Sequence, residues 1–561
     1  MDPITRQAIA VAGGAGGANP LYVDDVFSTF LYDGTGSAQT INNGIDLSGE
    51  GGLVWAKVRN TTIGHHFVDT ERGGSKYLRS SGSGSYSGEG TDATMITSFN
   101  SDGFTIGTSV YFSQSPRPYC TWTFRKAPGF FDIVTWTGNS VNGRQIAHSI
   151  GSVPGMILIK RYSTGANWEV WHNSFGVNEY MGLNSDSGKY TSGGPWNSTA
   201  PTSTHFTISS DSDVNYNGDS YIAYVFAHND QSFGTNEDEA IIKCGTYSGN
   251  SSGDVTVNLG FEPQWLLIKS SSHSTDWSIV DNMRGLSTRA TPRLRPNLDN
   301  AEATTTPAAV KLTPSGFIVT NANSDFSSSG RTYIYMAIRR PHKPPTAGTE
   351  IFKSSVLNSH PQTVNVGFPT DIFFTAKTGT TGSRWWSSRL GVDYLASEST
   401  SAAGDALLYF GFDKGNNFVL DAGWWGGSTS AVCWYFKRAP GAIDVVTYTG
   451  TGSLSGVNHN LGVTPELKII KSRSNSSDWI VGGSALTNLN YGYLYVNSNG
   501  AASIGSAYWN SSSSDSATVF SVRNTNAGSD YSGRTYVAYL FATLDGISKV
   551  GTYSGTGYDV N

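Results

Sequence analysis

Residues 264–285 read QWLLIKSSSHSTDWSIVDNMRG. An apolar run ends on Lys269, seven small or polar residues follow, and Trp277 opens a second run in which Trp277, Ile279 and Asp281 alternate. Two period-two runs across a polar turn predict a pair of antiparallel strands. The same step recurs along the chain. Lys160 precedes Trp168 by eight positions, Lys377 precedes Trp385, Lys471 precedes Trp479, and Lys57 precedes His65. Successive lysines lie 94 to 109 residues apart, so the sequence is a five-fold internal repeat of domain-sized units.

Each unit carries two further marks. A lead-in precedes the lysine run, as LYDGTG, VTWTGN, CGTYSGN and VTYTGTG, and VGTYSGTG repeats it at 550–557. A closing run follows the tryptophan, as YCTWTFR, YIAYVFA, YIYMAIR, AVCWYFK and YVAYLFA. Counting its first residue as zero, its positions three and five are Trp122 and Phe124, Tyr224 and Phe226, Met336 and Ile338, Trp434 and Phe436, and Tyr539 and Phe541. These share one strand face, which predicts a large apolar surface. Six or seven short strands per unit of about 100 residues give the expected fold: all-β, with tandem β-sandwich repeats of jelly-roll or lectin-like kind.

The expected division is an N-terminal segment at 1–30, units at 31–126, 127–230, 231–340, 341–438 and 439–545, and the lead-in of a further, truncated unit at 546–561. The links FRKAPGFFDIVTWTG and FKRAPGAIDVVTYTG match at an offset of 312. Together with RRPHKPPTAG at 339–348, these proline-bearing links are the expected inter-domain hinges.

Composition supports an ordered β protein and narrows its partners. There are 66 Gly, 15 Trp and 12% aromatics, so polar turns alternate with aromatic strands. The charged fraction is 14% and the net charge −6, which offers no basic field for nucleic acid and no polybasic patch for a membrane. Three cysteines, Cys120, Cys244 and Cys433, do not make a disulfide framework, and folding in a reducing cytoplasm is expected. No secretory leader and no run of eighteen apolar residues are recognised.

Two readings of the lysine-to-tryptophan step compete. In the architectural one, lysine closes a strand at the solvent boundary and tryptophan starts the next strand facing the core. In the other, Trp168, Trp277, Trp385 and Trp479 are exposed platforms for stacking sugar rings. The spacing persists while its neighbours change, which favours architecture.

No catalytic, cofactor or metal residues are assigned, and no enzyme activity is expected. The segments DTERG (Asp69, Arg72) and DNMRG (Asp281, Arg284) pair an acid with an arginine, but a structural pair across a turn is the expected role. His65 and His66 lack partners at zinc-ligand spacing. Asp132, Asp254, Asp444 and the run Glu237, Asp238, Glu239 show no pairing suited to glycoside cleavage. The acidic stretch at 209–220 reads as a turn, with calcium the alternative.

The opening MDPITRQAIAVAGGAGGANPLYVDDVFSTFLYDGTG, the block IDLSGEGGLVWAKVR through WTFRKAPGFFDIVTWTGN, and the unit HNLGVTPELKIIKSRSNSSDWIV resemble virion proteins of marine, cyanophage-like tailed phages. The resemblance implies a tail fibre or spike, built in the cytoplasm of the infected bacterium and located in the virion, that contacts the host cell surface. It implies a homotrimer by analogy, a host-surface glycan or protein as receptor, and other virion proteins as partners through the N-terminus. Ile4, Ala8 and Val11, at helix-like steps, are the expected virion-docking residues. The rivals are a head-decorating or baseplate fibre without a receptor role, a surface-glycan depolymerase, and a free-standing host lectin.

Overall fold

A computed structural model describes residues 20–553 except 83–85, 192, 287–289, 322, 359–360, 379–383, 392, 406–409, 421–429, 454, 485, 487–491, 505–507, 510–514 and 524–527. The protein is built almost wholly of antiparallel strands, with helix limited to single turns such as Val110–Ser113 and Ser212–Asn215. Each unit is a sandwich-like pair of small sheets.

One strand order repeats in all five principal sheets: lead-in, closing strand, lysine strand, tryptophan strand. In unit 1 these are Phe27–Asp33, Pro118–Arg125, Gly52–Val58 and His66–Asp69. In unit 3 they are Ile242–Ser248, Thr332–Arg339, Pro263–Ser270 and Ser278–Asp281. The closing strand, last in sequence, sits between the first strand and the lysine strand, so each unit is complete only when its final residues arrive. A second sheet, for example Gln39–Asn42, Gly103–Ile106 and Ile96–Asn100 in unit 1, covers the other face.

An aromatic clamp fixes the lead-in to the closing strand. Tyr32 stacks on Tyr119, Trp136 on Tyr221, Tyr247 on Tyr333 and Tyr448 on Tyr536, with ring centroids 5.1–5.4 Å apart. The closing tyrosine then ties down the turn ahead of it: Tyr119 Oη donates to Val110 O and accepts from Gln114 N, and Tyr221 Oη does the same with Ser212 O and Tyr216 N. The acidic stretch at 209–220 is this turn, with Asp211 accepting from Asp213 N.

Units 1, 2 and 3 are not beads on a string; they close a ring. Their lysine and closing strands bury both faces, one in the unit's own sandwich and one against the neighbours. Trp55, Trp122 and Phe124 of unit 1, Leu158, Tyr224 and Phe226 of unit 2, and Trp265, Leu267, Met336 and Ile338 of unit 3 belong to one continuous core. The predicted apolar face is therefore real, but in this half of the molecule it is the seam between units.

Two of the three expected hinges are locked joints. Arg340 of RRPHKPPTAG and Arg438 of FKRAPG are buried with Glu262 and Asp444. Arg438 holds Glu262 with two bonds of 2.9 and 3.0 Å, and Arg340 lies 3.4 Å from Glu262 and 3.5 Å from Asp444. A link rich in proline reads as a spacer, but here its basic residues meet buried acids from units 3 and 5.

The expected attachment segment at 1–30 also divides differently. Strand Phe27–Asp33 belongs to unit 1, and Asp24 accepts from His342 N and Lys343 N at 2.9 and 3.0 Å, so residues from Tyr22 on are part of the folded body. Ile4, Ala8 and Val11 lie outside the described residues.

Candidate functional site

The repeated lysine overturns its expected place at the solvent boundary. Lys57, Lys160, Lys269 and Lys471 are fully buried. Each ammonium reaches into the turn that follows and donates to its carbonyls: Lys57 to Val58 O and Thr61 O, Lys160 to Ala166 O, Lys269 to Ser270 O and His273 O, and Lys471 to Ser477 O. A lysine offers three donors and no acceptor, which suits a turn whose inward carbonyls would otherwise stay unpaired. Burial lowers the pKa of all four to about 8.

The tryptophans overturn the sugar-platform reading. Trp168, Trp277 and Trp479 have no exposed surface. Their indole N–H groups point into the preceding unit: Trp168 donates to Arg79 O, Trp277 to Gly182 O and Trp479 to Ala396 O, each at 2.9 Å. An edge carbonyl of one unit is thus satisfied by the next. Unit 1 has His65 in this place, buried, with its Nδ1 accepting from Trp55 Nε1 at 3.0 Å. Its ring is closed by unit 3 instead, through Ser80 Oγ to Pro296 O at 2.7 Å and the Arg59–Glu302 pair at 2.9 Å.

Unit 4 breaks the pattern although its spacing is kept. In units 2, 3 and 5 the register sets lysine and tryptophan opposite one another, as Lys160 and Trp168 show. In unit 4, Ala376 takes the lysine position, paired with Val432 and Arg384, and Phe374 pairs with Trp386. The shift of one residue exchanges the faces. Trp386 turns to the seam, while Trp385 stacks on Tyr394 at 4.3 Å within the unit's own core and Lys377 is left half-buried.

The two acid–arginine pairs join units. Asp69 accepts from Arg72 Nε at 2.8 Å and from Tyr224 Oη of unit 2 at 2.7 Å. Asp281 accepts from Arg284 Nε at 2.7 Å and from Trp122 Nε1 of unit 1 at 3.1 Å. Position three of each closing strand therefore reaches the acid of the neighbour before it in the ring. At the third seam, His172 replaces the acid and Met336 the polar tip, and His172 Nε2 lies 3.1 Å from Tyr335 O. Burial holds His172 at about 4.

One acid stands apart from these staples. Glu169, buried in unit 2, has no partner for Oε2, and burial together with Asp213 and Asp211 raises its pKa to about 8. Asp132 caps Ser149 N at 2.7 Å, and Glu239 meets Arg339 at 3.0 Å. Among the described residues no group of three or more His, Cys, Asp or Glu is placed to hold a metal ion, and no helix is long and apolar enough to cross a membrane.

Two recesses stand out. A polar cavity of about 450 Å³ lies where units 1, 3 and 4 meet, lined by Asp24, Asn43, Asn282, Lys343 and Arg438 among others. An open groove of about 950 Å³ runs along units 4 and 5, lined by Phe352, Phe374, Trp386, Trp434, Phe436 and Phe541 among others. An apolar recess of this size is a natural place to look for a binding partner.

A family model described as Domain of unknown function (DUF7483) matches residues 23–341 and 432–560. The chain belongs to this family. The first matched stretch runs through all three units of the ring; the second takes in the closing strand of unit 4, unit 5 and the lead-in after it. The slipped strands of unit 4 fall between the two. No curated protein matches.

The residues of the aromatic clamp and of the seams recur as letters in the lead-in and the closing run. What sequence reasoning lacked was the pairing: Tyr32 and Tyr119 sit in separate motifs, 87 residues apart.

Proposed function

We propose that the protein is a structural component of a tailed-phage virion, a tail fibre or spike that contacts the host cell surface, and not an enzyme. The observation that carries this reading is the use of the conspicuous side chains as stitching. Lysines close turns, tryptophans and acid–arginine pairs join neighbouring units, and the result is a rigid scaffold whose loops face outward. The three thiols are buried, so no disulfide is needed to hold it. Residues before Tyr22 would join other virion proteins, and outward loops would bind a host glycan or protein. Three chains would assemble into the appendage, and weak contacts repeated around it would add by avidity.

Labelling intact particles with antibodies raised separately against units 1 and 5 tests the reading. Label on the tail, with one unit outermost and the purified chain binding whole host cells, supports it. Label over the head shell, without cell binding, replaces it with a decorating fibre.

A further inference from the structure

Units 4 and 5 occupy two of the three places that units 1, 2 and 3 fill. Trp479 donates to Ala396 O as Trp168 does to Arg79 O, and Trp386 meets Trp479 and Tyr539 as Phe67 meets Trp168 and Tyr224. Unit 4 thus stands to unit 5 as unit 1 stands to unit 2. What the first ring has in addition is unit 3. Its Trp265 packs on Phe27, Trp55 and Phe124, and its Asp281 receives Trp122 Nε1.

The strand register identifies the same face on unit 4. Phe352 pairs with Phe436 as Phe27 does with Phe124, and Phe374 pairs with Trp434 as Trp55 does with Trp122. Phe27 and Leu31 are each 2% exposed, whereas Phe352 and Val356 are 41% and 63% exposed. Phe352, Phe374, Trp434 and Phe436, with Phe541 of unit 5, are the walls of the 950 Å³ groove. A second observation lies in Lys549–Tyr553, which repeats a lead-in. Tyr247 in that place is clamped on Tyr333, while Tyr553 is 95% exposed.

We propose that the groove is the seat of a third unit of the same fold, entered through the lead-in at 549–553, so that units 4 and 5 are two thirds of a second ring. The occupant presents an apolar closing-strand face to Phe352 and Phe436, and an acid at the place of Asp281 to Trp434. A second copy of the chain does not suit the count, because two copies bring four such units to a ring that takes three.

The test joins residues 248–340 of unit 3 directly after Tyr553 and compares this chimera with the 561-residue chain. The readouts are solution mass, binding of the dye anilinonaphthalene sulfonate, and amide exchange in Phe352–Leu357 and Ala431–Phe436. The 561-residue chain is expected to bind dye and to exchange quickly in both strands, whatever its subunit count. The chimera should lose most of that dye binding and slow exchange in both strands by about tenfold or more. A dimeric 561-residue chain with those strands already protected overturns the proposal in favour of a second copy. A chimera whose added unit is folded, by slow exchange in its own strands, while the groove strands are unchanged, also overturns it. The double substitution Phe352→Glu with Val356→Glu in the 561-residue chain covers the case of an added unit that fails to fold. It should move Tm by less than about 2 °C, and a larger loss means the groove is already filled.

Discussion

The same strand face lies sealed in one half of the molecule and half-open in the other. Phe27, Trp55, Trp122 and Phe124 are buried in the first ring, and their counterparts Phe352, Phe374, Trp434 and Phe436 line a groove on unit 4. The sandwiches themselves do not differ in this way. Units 4 and 5 each keep a separate buried core, built around Phe373, Phe418 and Tyr435 in one and Ile470, Trp509 and Phe520 in the other. The difference teaches that a unit's core is its own, whereas the large residues at positions three and five of the closing strand are an adhesive surface whose burial depends on neighbours.

The sharpest way to break this contrast is at the seam residues. Trp277→Ala should destabilise the first ring by about 3–5 kcal/mol in urea unfolding, since it opens a cavity and leaves Gly182 O without its donor. Arg438→Ala removes both of its bonds to buried Glu262 at the joint between the halves and leaves that acid only Arg340 and Asn460 Nδ2, at a cost of about 1.5–3 kcal/mol. Calorimetry should then resolve separate melting of the two halves.

Two titrations come next. Glu169 has its pKa raised to about 8, so the stability it contributes is complete below about 4.5 and is lost as pH rises through 8. Glu169→Gln should therefore leave stability nearly unchanged at pH 4.5 and raise it by about 1–3 kcal/mol at pH 8. The sign reverses for Lys269, whose pKa is lowered to about 8. Below pH 8 the cost of burying its charge is present in full. Between pH 8 and about 10.5 the folded lysine sheds its proton before the unfolded one does, so stability climbs. Lys269→Met should flatten that climb, read as the slope of unfolding free energy against pH.

The smallest effect belongs to the open face. Phe352→Ser should change stability by no more than about 0.5 kcal/mol, whereas Phe27→Ser, at the same place in the sealed ring, should cost several times as much. Equal losses at both positions would break the comparison.

The repeat, the strand alternation and the all-β class were plain in the letters, because a period of two and a turn between apolar runs are local properties. Burial of Lys269 was not, because a lysine between strand and turn looks the same whether its ammonium meets water or a ring of carbonyls. Trp277 is the converse case: its size announced a core, but only the neighbour's Gly182 O says which core. In unit 4 the spacing from Lys377 to Trp385 matches the other units letter for letter while the hydrogen-bond register slips by one. Counting residues cannot detect such a slip; the pairing of Phe374 with Trp386 does. The closing of unit 3 onto unit 1 through Arg59 and Glu302 left no trace in either segment, because each partner is an ordinary charged residue until the fold brings them together.

The ring seam also sets a schedule for synthesis. Trp122 finds its acceptor on Asp281, a residue 159 positions later in the chain. At about 5–20 residues per second that is a wait of roughly 8–30 s. Through that interval unit 1 has all its own strands but displays Trp55, Trp122 and Phe124 to solvent. During synthesis, then, the face that later seals the ring is the one most open to encounters with other nascent chains.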